Sequence, residues 1–517
     1  MKKAICIILV STLLFALVAC GNNSSSGGNV SLVIADSGEW WGHDVVQLDG
    51  TFFTQALVTD PLVHIADDGS LLPNIASEVD VNADGTVIKL TIPDGMKFAD
   101  GTTLAADDVV ASIDRARTVG PMSFVFDIVD TVRAEGNVVV ITLSSYSFSF
   151  AMTLSGFSYN ILSREEIESK SDDELFWGCT PYGQYFLDEY VPGSHVVLKK
   201  NPNYITHYPK VQNKGVGEYD TITVRFISDD FSRVQAFNVD DVQVAMGMSV
   251  DNVAQISRDD FLIEQSIIPN VVYCDINQNV PLLQDISVRQ ALMLVVDRQE
   301  IVDVLQNTCY AAYSYVTDRV HGFSQAYEDY FRANHANDIE RAKKLLADAG
   351  WVDSDGDGIL DKDGQNLSLR LVTSTNQFDS LTAETLQIQY KAVGVDVVLE
   401  VYDPNYRYEV IASGDYDLGM EYFGTADPHM LLELLQIDES NIIDADTYFG
   451  IVSEIPLAVD PAVREQLVFD AQMILSGEAM CIPLFTNINQ TAWANSVTGY
   501  IYTSTGTMIW NDLRPAE

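Results

Sequence analysis

Basic residues are scarce in this chain: 29 Lys and Arg stand against 74 Asp and Glu, a formal net charge of −45. So acidic a surface repels phosphate backbones and anionic headgroups, which argues against nucleic-acid binding and against electrostatic docking on a bilayer. Histidine is rarer still, with 7 in 517 residues, and none clusters with Cys or Glu at ligand spacing. No resident metal and no cofactor is therefore expected. Six cysteines occur without a CxxC pair, so a zinc or dithiol redox site is not expected. Cys179, Cys274, Cys309 and Cys481 are widely spaced, and either disulfides or buried free thiols fit them. GxSxG, HExxH and P-loop signatures are missing too, and with them the commonest hydrolase and NTPase chemistries. Long apolar runs are confined to residues 4–18, interrupted only by Ser11 and Thr12.

That single run follows Met1-Lys2-Lys3 and is too short for an ordinary membrane span. A positive start and a short apolar stretch make residues 1–19 a secretory signal. Leu17-Val18-Ala19-Cys20 then resembles the bacterial lipobox, which implies acylation of Cys20 as the first residue of the mature protein. Residues 20–29, rich in Ser, Gly and Asn, read as a flexible tether. The expected location is the extracytoplasmic face of the cell membrane, at the cell surface or in the periplasm, held by lipid.

The remaining roughly 490 residues can bury a large core, and that size suggests two or more lobes. An apolar content of 47%, with 23 Tyr and 22 Phe, excludes disorder as the main state. Residues 31–36 read as an opening strand. "TVIKLTIPDGMKFADGTTL" (86–104) alternates in polarity and turns at Asp-Gly dipeptides. "AADDVVASIDRA" (105–116) has helical spacing, with Val109, Ile113 and Ala116 on one face. Residues 195–204 and 220–227 contain strands. Residues 287–305 read as one long helix with Ser287 and Gln290 in capping-box register. Residues 337–351 give a second helix, capped by Asp338 and stopped at Gly350. Two strands, 367–374 and 396–403, enclose a helix, so a parallel α/β unit is expected.

"IPDGMKFADGTTLAADDVVASIDR" (92–115), "GQYFLDEYVPGSHVVLKKNPNY" (183–204), "VRQALMLVVDRQEIV" (288–302) and "RAKKLLADAGWVDSDGDGILDKDG" (341–364), with Pro73-x-x-Ala76 before them, occur in a fixed order. In these blocks the chain resembles the extracellular solute-binding proteins of ABC importers, in the oligopeptide/dipeptide/nickel-binding group called bacterial family 5. The resemblance implies an α/β, two-lobed periplasmic-binding-protein-like fold, type II and cluster C-like, with hinge strands and an extra subdomain in the N-terminal lobe. That lobe would comprise 30–268 plus 487–517, with the subdomain at about 76–185, and the second lobe 269–486. The family's Gly-Thr-Gly-Pro-Tyr stands here as Pro181-Tyr182-Gly183-Gln184-Tyr185, keeping the second glycine and the tyrosine.

The resemblance also implies a role. A monomer would bind small peptides between its lobes and deliver them to ABC permease subunits, with separate ATPase subunits driving transport, and would itself catalyse nothing. The segment "YDLGMEYFGTADPHMLL" (416–432) is shorter than in the peptide-binding members, so Asp427 is the acid available for a ligand's amino terminus. Ligand contacts are expected from Trp41, Tyr422, Phe423, Asp427 and His429. Asp427-Pro428-His429 also resembles the nickel-binding members, which keeps a nickel or metal-chelate receptor as the alternative. A secreted surface hydrolase using paired carboxylates is the rival from another class. Finally, Asp353, Asp355, Asp357 and Gly358 fit the first positions of a calcium loop. Its twelfth position is Gly364 in place of a glutamate, so a turn is the better reading.

Overall fold

The computed structural model describes residues 30–48, 53–66, 68–157, 159–435, 445–503 and 508–517; the signal, Cys20 and the tether lie outside these residues. Two sets of parallel strands share one continuous sheet. In the first set Ser31–Asp36 lies between Thr221–Phe226 and Val244–Ala245, parallel to both. Leu32, Ile34 and Ala35 are fully buried, as befits a strand covered on both faces. His195–Lys200 and Tyr185–Val191 extend this set antiparallel. In the second set Ser368–Ser374 runs parallel to Asp396–Tyr402 and to Leu418–Gly424. Helix Gln377–Lys391 makes the crossover, giving the parallel unit that the sequence predicts.

One strand of 14 residues, Cys481–Ala494, belongs to both sets. Its first part pairs with Asn270–Ile276, and its later part with Phe261–Ile267 and Val244–Ala245. The chain therefore passes from one set to the other at about residues 268–269 and returns at about 486–487. Hydrophobic packing divides in the same place. One buried cluster draws on residues from Val271 to Phe485, including Leu292, Tyr327, Leu371 and Leu475. Another packs around Ser31–Asp36 and includes Trp493 and Leu513. A third fills the space between helix Ala106–Ala116 and a four-stranded antiparallel sheet built from Glu78–Val81, Val87–Thr91, Val129–Glu135 and Val138–Leu143. Val109, Ile113 and Ala116 form the buried face of that helix.

The long helix read over 287–305 is two helices, Ile286–Val295 and Arg298–Val304. Val296 is extended (φ −69°, ψ 112°), and the Asp297 carboxylate accepts from the N–H groups of Gln299 and Glu300 to start the second helix. Asp285, not Ser287, caps the first, while the Gln290 side chain donates to the Gly477 carbonyl instead. The apolar period continues across the break, which hides it in the sequence. The four cysteines are all free and buried, so the thiol reading holds.

The retained glycine of the 181–185 motif has a steric reason. A Cβ on Gly183 would lie 2.3 Å from the Val58 carbonyl carbon and 2.4 Å from its oxygen. Tyr185 is fully buried beside it in sequence. Gly183→Ala must push two backbone segments apart, and a loss of about 1–3 kcal/mol is expected, read as a lower urea midpoint. An unchanged midpoint would mean that the close approach is not maintained.

Asp275 is buried in the sheet of the second set, where it accepts a hydrogen bond from the Tyr416 hydroxyl. Burial raises its carboxyl to about 7, against the lowering by Tyr416 and the Ile276 N–H. The folded state thus holds a proton that the unfolded state has released. This contribution to stability is present below the ordinary carboxylate value and is lost as pH rises through about 7. Asp275→Asn keeps an acceptor for Tyr416 and removes the titration. Between pH 5 and pH 8 the stability difference should move in favour of the variant by on the order of 2 kcal/mol. Parallel pH profiles for the two proteins would contradict this.

Candidate functional site

Both strand sets present their carboxyl ends to the crossing. Leu418–Gly424 ends with Gly424 opposite Asn270, the first residue of the strand that enters the second set. Ala245 pairs with Ala492, and the Met248 N–H then donates to the Gln490 carbonyl, nearer the crossing. In open α/β sheets, ligands bind beyond carboxyl strand ends, where loops converge. The end of Leu418–Gly424 and the segment that follows it carry four of the five residues singled out for ligand contact.

Tyr422 is 54% exposed, and Phe423 is half-buried against the core of the second set. Asp427 is only 2% exposed and caps the short helix Pro428–Leu434, its Oδ1 accepting from the His429 N–H at 2.9 Å. Proline at the first helical position has no N–H to leave orphaned, so Asp-Pro is a local start signal. The other oxygen, Oδ2, is buried with no hydrogen bond of good geometry, the Ser149 hydroxyl being the polar group beside it. Burial pushes this carboxyl above its ordinary range; Ser149, His429 and the backbone N–H groups of His429 and Met430 pull the other way. His429 sits with Nδ1 3.5 Å from Ser149 Oγ and Nε2 3.3 Å from Glu433 Oε2, one turn along.

Asp427 and His429 are thus brought together at one helix start, with Tyr422 and Phe423 at the strand end before it. Trp41 is placed on the other strand set, in the turn after Ser31–Asp36, where it is 58% exposed. Its neighbour Trp40 is buried and donates from Nε1 to Thr54 Oγ1 at 2.8 Å; Thr54 in turn donates to Asp36 Oδ2.

Sequence reasoning missed the groups around Asp427. Arg464, from helix Pro461–Glu478, is buried, and its guanidinium carbon stacks 3.6 Å from the centre of the Phe148 ring. Asp427 and Tyr146 both act on that guanidinium electrostatically. His321 donates its backbone N–H to the Ala426 carbonyl. Residues this far apart in the chain carry no shared local signal.

Metal-ligating capacity lies elsewhere. Among the described residues, the group of three acids able to share an ion is Asp353, Asp355 and Asp361, with ligand atoms within 4.8 Å of one another. Asp353 already accepts the N–H groups of Gly356 and Gly358, and Asp361 the N–H and the hydroxyl of Ser354, as a turn requires. No third Cys, His, Asp or Glu completes a metal set beside His429 and Glu433 among the described residues.

Two α/β halves that meet at carboxyl strand ends, joined by two strand passages, define a two-lobed binding protein. The chain belongs to the bacterial extracellular solute-binding proteins, family 5, whose profile ("family 5 Middle") matches residues 70–440. It is 24% identical over 454 residues to the nickel-binding periplasmic protein of Escherichia coli K12, covering 84% of each chain. It is 26% identical over 360 residues to the oligopeptide-binding protein AppA of Bacillus subtilis, covering 64% of this chain and 63% of that one. Among solved structures, NikA from Brucella suis in complex with Fe(III)-EDTA matches with a TM-score of 0.81 at 22% identity, over 94% of this chain and 100% of that one. AppA in complex with a nonapeptide matches with a TM-score of 0.73 at 20% identity, over 94% and 99%. The periplasmic-binding-protein-like fold is therefore shown. No helix among the described residues is long and apolar enough to cross a membrane.

Proposed function

We propose that this protein is the lipid-anchored receptor of an ABC importer and that it captures peptides between a lobe formed by 30–268 plus 487–517 and a lobe formed by 269–486. Cys20 carries the lipid and residues 20–29 the tether, on the extracytoplasmic face. Permease subunits in the membrane receive the peptide, separate ATPase subunits supply the energy, and the receptor itself catalyses nothing. The observation that carries the peptide reading is the Asp427 carboxylate: buried, with Oδ2 lacking a well-formed hydrogen bond, at the carboxyl end of a lobe's parallel strands. A buried carboxylate of this kind is stabilised by a cationic donor, and the α-amino group of a peptide supplies one. Tyr422, Phe423 and, from the opposite lobe, Trp41 offer apolar contact to side chains without demanding one sequence.

A second reading has its own support. His429, on the same helix start, offers an imidazole to a metal that brings its other ligands with it, so a nickel chelate remains the competing cargo, whereas a bare ion finds too few donors there. Incubating the purified protein with a defined peptide mixture separates the readings. Intact peptide retained at one per protein is expected; cleaved products would indicate a hydrolase, and retention only of a nickel–histidine chelate would overturn the peptide assignment. With a net charge of −45, cationic peptides should also bind more weakly as salt rises. Flat salt dependence would assign the charge to solubility alone.

A further inference from the structure

Helix Phe148–Ser155 belongs by its packing to the N-terminal lobe, where Phe150 and Leu154 are buried in the cluster around the four-stranded sheet. Its first residues turn the other way. The Phe148 N–H donates to the Pro456 carbonyl at 2.7 Å, and the Phe148 ring is 1% exposed although it joins no cluster of its own lobe. Gly69 of its own lobe lies against one edge of the ring, and the second lobe supplies the rest of the cover described here: the Arg464 guanidinium at 3.6 Å, and the His321 ring edge-on with centroids 5.4 Å apart. Ser149 follows, facing His429 and Asp427. Arg464 is held for this contact by its own donation to the Ala458 carbonyl at 3.0 Å. Four separate stretches of the second lobe, at 321, 427–429, 456–458 and 464, thus build a socket for two residues of the first.

We propose that Phe148 and Ser149 are a latch: a plug-and-socket contact, made entirely by the protein, that holds the two lobes closed independently of any ligand. The covalent connections between the lobes are the two strand passages near 268 and 486, and the latch is a third, breakable connection. A buried aromatic against a guanidinium has the chemistry of an interface anchor. By favouring the closed state before a ligand arrives, it raises the apparent affinity for whatever that state binds and sets how readily the lobes part. It rests on contacts between the lobes alone, so it stands whether the cleft takes a peptide or a chelate.

Small-angle scattering of the purified protein, freed of carried ligand by unfolding and refolding, tests this. Phe148→Ala should raise the radius of gyration by on the order of 1 Å as the lobes part. Ser149→Tyr adds bulk where the first lobe meets Asp427 and His429 and should do the same in the ligand-free protein, and it decides the matter if Phe148→Ala does not refold. Circular dichroism should show both variants with the native secondary structure. Wild type and variants with coincident radii would overturn the latch.

Discussion

Asp427→Asn is expected to weaken binding of peptides that carry a free amino terminus by about 10- to 100-fold, and to leave N-acetylated peptides little affected. Asparagine caps helices as well as aspartate does, so the Oδ1 contact to the His429 N–H survives, and with it the start of helix Pro428–Leu434. What the substitution removes is charge at the buried Oδ2. A hydrogen bond to a charged group in such a place contributes about 1.5–3 kcal/mol, which converts to the range given. Calorimetric titration with one peptide in free and acetylated forms makes the comparison within a single variant. Equal losses for both forms would remove Asp427 from ligand recognition and leave it as a helix cap.

Arg298→Met is expected to produce the largest loss of stability among the substitutions considered, about 3 kcal/mol or more in the second lobe. Arg298 is 1% exposed, starts the second half of the broken helix, and donates from Nε to the Pro483 carbonyl at 2.6 Å and from Nη1 to the Val296 carbonyl at 3.3 Å. Its guanidinium carbon stands 5.0 Å from the Phe331 ring centre and 5.5 Å from that of Tyr313. Burial among these rings lowers its pKa to about 10, so it remains protonated at neutral pH. No salt bridge to Arg298 is present among the described residues; carbonyl dipoles and ring faces hold the charge. Methionine restores most of the volume but leaves the carbonyls of Pro483 and Val296 without these donors in a buried place. The unfolding temperature in a calorimetric scan should shift down; Arg298 packs in the cluster of the second lobe, whereas Gly183 lies in the other lobe. A shift equivalent to less than about 1 kcal/mol would show that the carbonyls find other partners.

How far the sequence could be read follows from the range of each interaction. The strand–helix–strand unit at 367–403 was legible because its apolar runs, its turn residues and its helical period all lie within one short stretch. The cap at Asp338 and the stop at Gly350 were legible for the same reason, and Gly350 indeed takes φ +90°. The break at Val296 was not, since it depends on Asp297, whose N–H is received by Gln389 from a helix distant in sequence. Within the candidate site, Asp427 was legible as an acid available to a ligand, but nothing local announces that it caps a helix with Oδ2 buried. Ser149 and Arg464, which folding brings to its neighbourhood, come from distant parts of the chain. The aromatic pair at 40–41 divides in the same way: two identical side chains, one buried on Thr54 and one exposed, distinguished only by tertiary structure.

Mass spectrometry under native conditions, on protein purified gently from its source and never exposed to denaturant, weighs the cargo directly. A complex heavier than the chain by the mass of one peptide, with fragments that read as amino-acid residues, is the expected result. A single added mass bearing the isotope pattern of nickel with small organic ligands, and no peptide in any preparation, would contradict the peptide assignment while leaving the two-lobed receptor in place.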